Sequence, residues 1–384
     1  MPLPPATEPS ADGPAAAVAV ERPCPLTGGS SEFSPHAEAV KPWRQVVAEA
    51  ITDPDELCRI LGLPEMDAER IRQAAKTFPL LVPRTVLSRI RPGNPRDPVL
   101  RQFFPVPEEL DRKEGFSADP LGERSSSPAP RILAKYSNRL LMLTVGGCPV
   151  HCRYCFRRHL PYEELMRNKV ATGDDAPTSK AVSDNGLAPS LPPETLRFLE
   201  SRRDYREVIL SGGEPLLLDD SKLCAIISRI AQIPHLTRIR IHTRMPVVIP
   251  QRVTNDLLTT LRSSRLTPIM VLHINHSQEL DDAVATAIGR LVDAGIPLLS
   301  QSVLLAGVND RSEVLAELCE RLADLRVIPY YLHQLDRVHG AAHFEVPTSD
   351  GKRLVDELRA LLPGYAVPHY VRESPEVPYK VPLA

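Results

Sequence analysis

The chain has 384 residues, and its 46 Lys+Arg against 48 Asp+Glu leave a formal charge of −2. That balance excludes a protein held to nucleic acid or anionic lipid mainly by charge, and no apolar run approaches the ~18–20 residues of a membrane span. Hydrophobic residues at 42% and charged residues at 24% suit a soluble enzyme, while 40 Pro is about twice the usual ~5%.

The start, Met1-Pro2-Leu3-Pro4-Pro5, lacks a basic n-region, and Ala15–Val20 is too short an apolar stretch for a signal peptide, so a cytoplasmic location is expected. Residues 1–40 are rich in Pro, Ala, Ser and Gly without periodicity and read as a disordered tail. A helical region over 41–130 follows. In it Asp53-Pro54 supplies an N-cap and a first-turn proline, Leu57, Ile60 and Leu61 repeat at helical spacing, and Gly62 is the stop. A second helix is predicted over Asp67–Thr77.

From Arg139 the pattern changes. Apolar runs at Leu140–Val145, Val208–Leu210, Ile239–His242, Ile269–His273, Leu298–Leu305 and Ile328–Leu332 alternate with amphipathic stretches at Lys222–Ala231, Asn255–Leu261, Leu280–Ala294 and Ser312–Ala323. About six β-α units predict a parallel α/β core over 131–345, its strands buried on both faces. Reactive residues are then expected at the carboxyl ends of the strands. Met166–Ser190 is polar and reads as a flexible surface insertion. Residues 346–384 carry a C-terminal helix and a Pro-rich closing segment with aromatic and ionic residues at intervals.

Of seven cysteines, Cys148, Cys152 and Cys155 fall in one short run, Gly146-Gly147-Cys148-Pro149-Val150-His151-Cys152-Arg153-Tyr154-Cys155-Phe156-Arg157-Arg158. A structural zinc site or simply packed thiols are the alternatives. Zinc wants four closed ligands, usually in two separated pairs, and there is no second Cys pair; Cys224 and Cys319 stand alone at apolar helix positions. Three thiolates from one loop suit an iron–sulfur cubane, with one iron left open.

This Cys-x3-Cys-x2-Cys loop after a strand, with an aromatic before its last Cys, resembles the radical S-adenosylmethionine (SAM) superfamily. The resemblance implies a partial TIM barrel and a [4Fe-4S] cluster on Cys148, Cys152 and Cys155. Its open iron chelates SAM, and an electron from the cluster cleaves SAM to a 5′-deoxyadenosyl radical. Ser211-Gly212-Gly213-Glu214-Pro215 is similar to the superfamily's Gly-Gly-acidic segment near the SAM amino group, and read as residues its Gly pair lets the backbone approach a ligand closely.

Arg244-Met245-Pro246-Val247-Val248, His273-Ile274-Asn275-His276, Gln301-Ser302-Val303-Leu304-Leu305-Ala306-Gly307 and Pro329-Tyr330-Tyr331 leading to Asp336 resemble the lysine 2,3-aminomutases. Asp53-Pro54-Asp55-Glu56-Leu57, Gly93-Asn94-Pro95, Phe156-Arg157-Arg158-His159 and His339-Gly340-Ala341-Ala342-His343-Phe344 resemble the short bacterial branch that serves elongation factor P. The resemblance covers about Trp43 to Leu383, apart from the Met166–Ser190 loop. It implies conversion of L-lysine to (R)-β-lysine, with pyridoxal 5′-phosphate (PLP) carried as a Schiff base on Lys380. It further implies Lys135, Arg139 and Arg244 for the PLP phosphate and His273 and Gln301 near SAM. Arg157 falls to the substrate carboxylate, and Asp336 with Glu373 to its distant ammonium. A flavodoxin- or ferredoxin-type electron donor and a separate β-lysine ligase acting on elongation factor P are the implied partners. Rival readings are an aminomutase for another amino acid or a peptidyl lysine, and a non-catalytic metal protein. One departure stands out. Where relatives usually place glycines, this chain has Glu373-Ser374-Pro375-Glu376-Val377-Pro378-Tyr379-Lys380, with two prolines that stiffen the loop.

Overall fold

The computed structural model describes residues 41–64, 66–167 and 191–384. The tail over 1–40, and the insertion from residue 168 to 190, lie outside the described residues. Met166, read as the first residue of that insertion, instead lies within a short helix, Tyr162–Arg167, and is buried in a cluster with Leu133, Leu141 and Ile209.

Among the described residues nine strands form one sheet in sequence order: β1 Ile132–Leu133, β2 Arg139–Val145, β3 Glu207–Gly212, β4 Arg238–Thr243, β5 Thr267–His273, β6 Leu298–Val303, β7 Ile328–His333, β8 His369–Arg372 and β9 Val381–Pro382. β2 through β8 are parallel, and antiparallel β1 and β9 close the two edges. The predicted α/β partial barrel is therefore present, with a seventh parallel strand, β8, drawn from the Pro-rich closing segment.

Helices cover the outer face. Asp220–Ala231, Asn255–Arg262 and Asp282–Asp293 bury Leu223, Ile227, Leu257, Val284 and Ile288 against Ile239, Ile241, Met270, Leu272 and Leu298. Side chains alternate along a strand, so Arg240, His242, Val271, His273, Leu299 and Gln301 take the opposite, inward face. The expectation of strands buried on both faces holds for β3, buried along its whole length, whereas the inward positions of β5–β7 are mostly half-buried and include His273, Gln301, Tyr331 and His333.

At the front, the helix Pro54–Leu61 starts as its sequence predicts. Asp53 accepts the Asp55 N–H at 3.0 Å, and Gly62 adopts φ 59°, a left-handed C-cap that a side chain disfavours. Ile60, expected on its apolar face, is 44% exposed. This front region lies against the cysteine loop: His151 N–H donates to Leu81 O at 3.0 Å and Arg153 N–H to Gln102 O at 2.8 Å.

Candidate functional site: the cysteine loop and the mouth of the barrel

The cysteine loop leaves the carboxyl end of β2, and its geometry is set by buried charge. Arg153 donates two hydrogen bonds to Glu109, at 2.8 and 2.6 Å, and Arg158 a third at 2.8 Å, all with almost no solvent contact. Two cations on one carboxylate compensate its desolvation, and Glu109 stays below the usual carboxylate range despite burial, which pushes it up.

The next loop presses on this one. Gly213 N–H donates to Val145 O at 2.8 Å and Glu214 N–H to Gly147 O at 2.9 Å. A Cβ on Gly213 would stand 2.0 Å from the Gly147 carbonyl oxygen, and one on Gly212 (φ 121°) 2.6 Å from that of Val145. The Gly pair thus admits the backbone of the cysteine loop, where the sequence suggested a ligand. Glu214, pushed up by burial, spends its carboxylate on the Leu216 and Arg244 N–H groups at 3.0 and 2.8 Å and on the Thr243 hydroxyl at 2.7 Å.

Cys148, Cys152 and Cys155 are free thiols. Burial, then the neighbouring thiols, pushes Cys148 well up and Cys155 to about 11. Among the described residues no three ligand-type side chains converge tightly enough for a single metal ion. Thiols spread around one loop, close enough to perturb each other, fit separate irons of one cluster instead.

Tyr154, the aromatic within the motif, is the hub of a buried network. Its hydroxyl meets His273 Nε2 at 2.7 Å, accepts from Asn275 Nδ2 at 2.6 Å and from Arg244 at 2.6 Å. Burial, then the Arg244 cation, lowers His273 to about 3, so this imidazole is neutral. Arg244 also donates to Cys152 Sγ at 2.9 Å, to Gln102 Oε1 at 2.6 Å and to Glu279 Oε2 at 2.6 Å. Its four terminal N–H groups are committed beside the cysteine loop, which sets it apart from Lys135 and Arg139. Grouping these three on one phosphate does not match this placement.

A second centre forms at the β8–β9 hairpin. Arg372 pairs with Val381, so one step outward Glu373 opposes Lys380, and the two form a salt bridge. Tyr136 donates to Glu373 Oε1 at 2.6 Å, and Lys135 Nζ stands 3.9 Å from the same oxygen and 3.1 Å from Glu123 Oε1. Glu123 in turn accepts two hydrogen bonds from Arg157, at 2.7 and 2.9 Å. The result is a ladder of alternating charge: Arg157, Glu123, Lys135, Glu373, Lys380. Asp336, after β7, joins it electrostatically. Burial and then Glu373 push its carboxyl up to about 7, while Lys380 and Lys135 oppose the shift.

Beneath Lys380 the inner wall is polar. Its Nζ lies 5.6 Å from the Tyr331 ring centre. His242 and His333 are held neutral by burial, with the Lys380 cation adding to the effect. Arg139 lies 4.0 Å over the Tyr136 ring, and Arg240 pairs with Glu207. Among the described residues, buried His242 Nε2 and Arg240 Nε meet no hydrogen-bond partner. Orphaned buried polar atoms are costly unless a ligand meets them, so a polar group such as PLP fits this wall. Ser211, assigned to SAM by resemblance, accepts from Arg157 at 2.9 Å, and Gln301 occupies the inner face of β6 beside His273.

Sequence reasoning missed Glu123, Arg240 and His242. The last two were detectable, since Arg238-Ile239-Arg240-Ile241-His242 alternates polar and apolar where a strand buried on both faces would not.

The model of the radical SAM superfamily matches residues 142–319. The L-lysine 2,3-aminomutases of Haemophilus influenzae and Escherichia coli are each 42% identical to this chain, covering 88% and 89% of it and 94% of each relative. That of Clostridium subterminale is 34% identical over 89% of this chain and 77% of its own. Among solved structures, Streptococcus suis SuiB bound to S-adenosylmethionine is similar at a TM-score of 0.40 and 16% identity, covering 63% of this chain and 52% of its own. No helix among the described residues is long and apolar enough to cross a membrane.

Proposed function

The chain belongs to the lysine 2,3-aminomutase family of radical SAM enzymes, and we propose that it converts L-lysine to (R)-β-lysine by a radical, PLP-assisted 1,2-amino shift. The observation that carries this reading is the charge ladder. A lysine with a hairpin-fixed carboxylate partner and a buried arginine belong to one connected set at the barrel mouth, next to a three-thiol loop.

When bound, the cluster and SAM supply a carbon-centred radical, and PLP supplies a conjugated carbonyl carrier for the migrating nitrogen. Cys148, Cys152 and Cys155 would hold the cluster. His273 and Gln301 would lie on the SAM side, and Gly212, Gly213 and Glu214 would hold the cysteine loop beside it. Lys380 would hold PLP, with Arg139 and Arg240 toward its phosphate; Lys135, which the resemblance also gave to the phosphate, is committed between Glu123 and Glu373 instead.

The chain's own residues do the selecting. Arg157 faces the α-carboxylate, and Asp336 with Glu373 receives the ε-ammonium. Two carboxylates reject a neutral or acidic side chain, which would leave their charge uncompensated. Neutral His242, His273 and His333 add no cation to the interior near pH 7, which leaves Asp336 as the group that titrates there. The product is proposed to pass to a ligase that modifies elongation factor P, and a flavodoxin- or ferredoxin-type donor to reduce the cluster.

Borohydride reduction of PLP-loaded protein followed by peptide mass mapping tests the cofactor assignment. A pyridoxyl mass on Lys380 is expected. Label on another lysine, or none, overturns it.

A further inference from the structure

Glu123 is the buried charge that the aminomutase reading leaves without a task. It is 1% exposed and opens the short turn Glu123–Ser126. Asp119 fixes that turn by accepting the Glu123 and Arg124 N–H groups at 3.0 and 3.1 Å. Gly122 precedes it at φ 61°, a conformation that costs a side chain strain. Burial pushes the Glu123 carboxyl up, but Arg157 and Lys135 outweigh it and hold the group below its usual range. This carboxylate is ionised and fully engaged.

What it engages is the arginine expected to read the substrate carboxylate. Arg157 Nε and one terminal nitrogen both donate to Glu123, at 2.7 and 2.9 Å. The other terminal nitrogen donates to Ser211 Oγ at 2.9 Å and to Gly212 O at 3.4 Å. A guanidinium has five N–H groups, and four are committed. The paired edge that ordinarily clamps a carboxylate belongs to Glu123, leaving one N–H for a ligand. Lys135 Nζ approaches Glu123 Oε1, the oxygen that also accepts from the Arg157 terminal nitrogen, at 3.1 Å, and an ammonium carries three N–H donors.

We propose that Glu123 is a positioning residue for carboxylate recognition. It locks the Arg157 plane and anchors Lys135 beside it, so the substrate's α-carboxylate is met by one guanidinium N–H together with the Lys135 ammonium. This rests on the proposal that the substrate is a free amino acid. It adds that recognition of the carboxylate is shared between two cations aligned by a third, buried group. Without Glu123, Arg157 is free to rotate and Lys135 to pair with Glu373.

The test compares binding of lysine and lysinamide, in which a neutral carboxamide replaces the carboxylate, to the reconstituted holoenzyme by equilibrium dialysis. The variants are Glu123→Gln, Glu123→Asp and Lys135→Met. Wild type should prefer lysine by at least about tenfold, in keeping with a charge-assisted contact. Glu123→Gln and Lys135→Met should each reduce that preference to about threefold or less. Glu123→Asp, which keeps the charge on a shorter arm, should restore part of it. Iron content and circular dichroism establish that each variant is folded, and Lys135→Met stands as a second probe if Glu123→Gln does not fold. A folded Glu123→Gln that keeps the full preference, or a Lys135→Met that does so, overturns the proposal while leaving the aminomutase reading intact. A wild-type protein that does not distinguish lysine from lysinamide overturns the reading of carboxylate recognition itself.

Discussion

Replacing Gly213 with alanine probes the contact on which the cysteine loop depends. The new Cβ would sit 2.0 Å from the Gly147 carbonyl oxygen, 2.5 Å from its carbonyl carbon and 3.0 Å from the Gly146 carbonyl carbon. An ordinary contact begins near 3.4 Å, so one loop must retreat by about 1.4 Å. Side chains often absorb such overlap at a cost of about 1–3 kcal/mol. Here the obstacle is backbone, held in place by the Glu214 N–H bond to the same oxygen at 2.9 Å, which puts the cost at about 3 kcal/mol or above. Retreat separates Cys148 from its neighbours. After anaerobic reconstitution, iron per chain should fall well below the four of an intact cubane, and the melting temperature should drop. Gly289→Ala is the control, because nothing lies within 4 Å of the added carbon and alanine favours a helix by about 1 kcal/mol. A Gly213→Ala protein with full iron and unchanged melting would refute the argument.

Asp336 makes stability depend on pH. Its carboxyl rises from 3.8 in an unfolded chain to about 7, so the stability from its bound proton is full below about pH 4 and lost as pH rises through 7. Asp336→Asn removes this term, and its melting temperature should fall less than wild type's between pH 5 and 8; equal slopes contradict the shift. Arg244→Met leaves Glu279 Oε2 without its cation in a dry setting, at a cost of about 3–5 kcal/mol readable by denaturant titration. A loss under 1 kcal/mol would show that the network does not rely on this pair. Glycine at Pro375 and Pro378 together should weaken PLP retention, since freeing the loop raises the cost of ordering it by about 0.4–1 kcal/mol per site. Tighter retention in a fluorescence titration would show that the prolines oppose cofactor binding.

Much of the barrel was legible because its strands are apolar runs between amphipathic helices with clear caps. Asp53 and Gly62 marked both ends of one helix to the residue. β8 and β9 were not legible. His369–Arg372 is four residues long and Val381–Pro382 two, and pairing, not propensity, makes them strands. Their register brings Lys380 opposite Glu373, a contact that no local pattern encodes. Glu123 was hidden for the same reason: in the sequence it is one acidic residue in a polar turn, and only the fold places two cations on it. Arg244 shows the converse, since a basic residue after a strand end says nothing about which of two neighbouring centres it serves.

Protein reconstituted anaerobically with iron, sulfide, PLP and SAM, then reduced with dithionite, should convert isotopically labelled L-lysine to β-lysine, resolved by chiral chromatography and mass spectrometry. Wild type should give the (R) product, and Lys380→Ala none. Lysine left unchanged by cluster-loaded, PLP-loaded wild type, or turnover that survives Lys380→Ala, would contradict the proposed reaction.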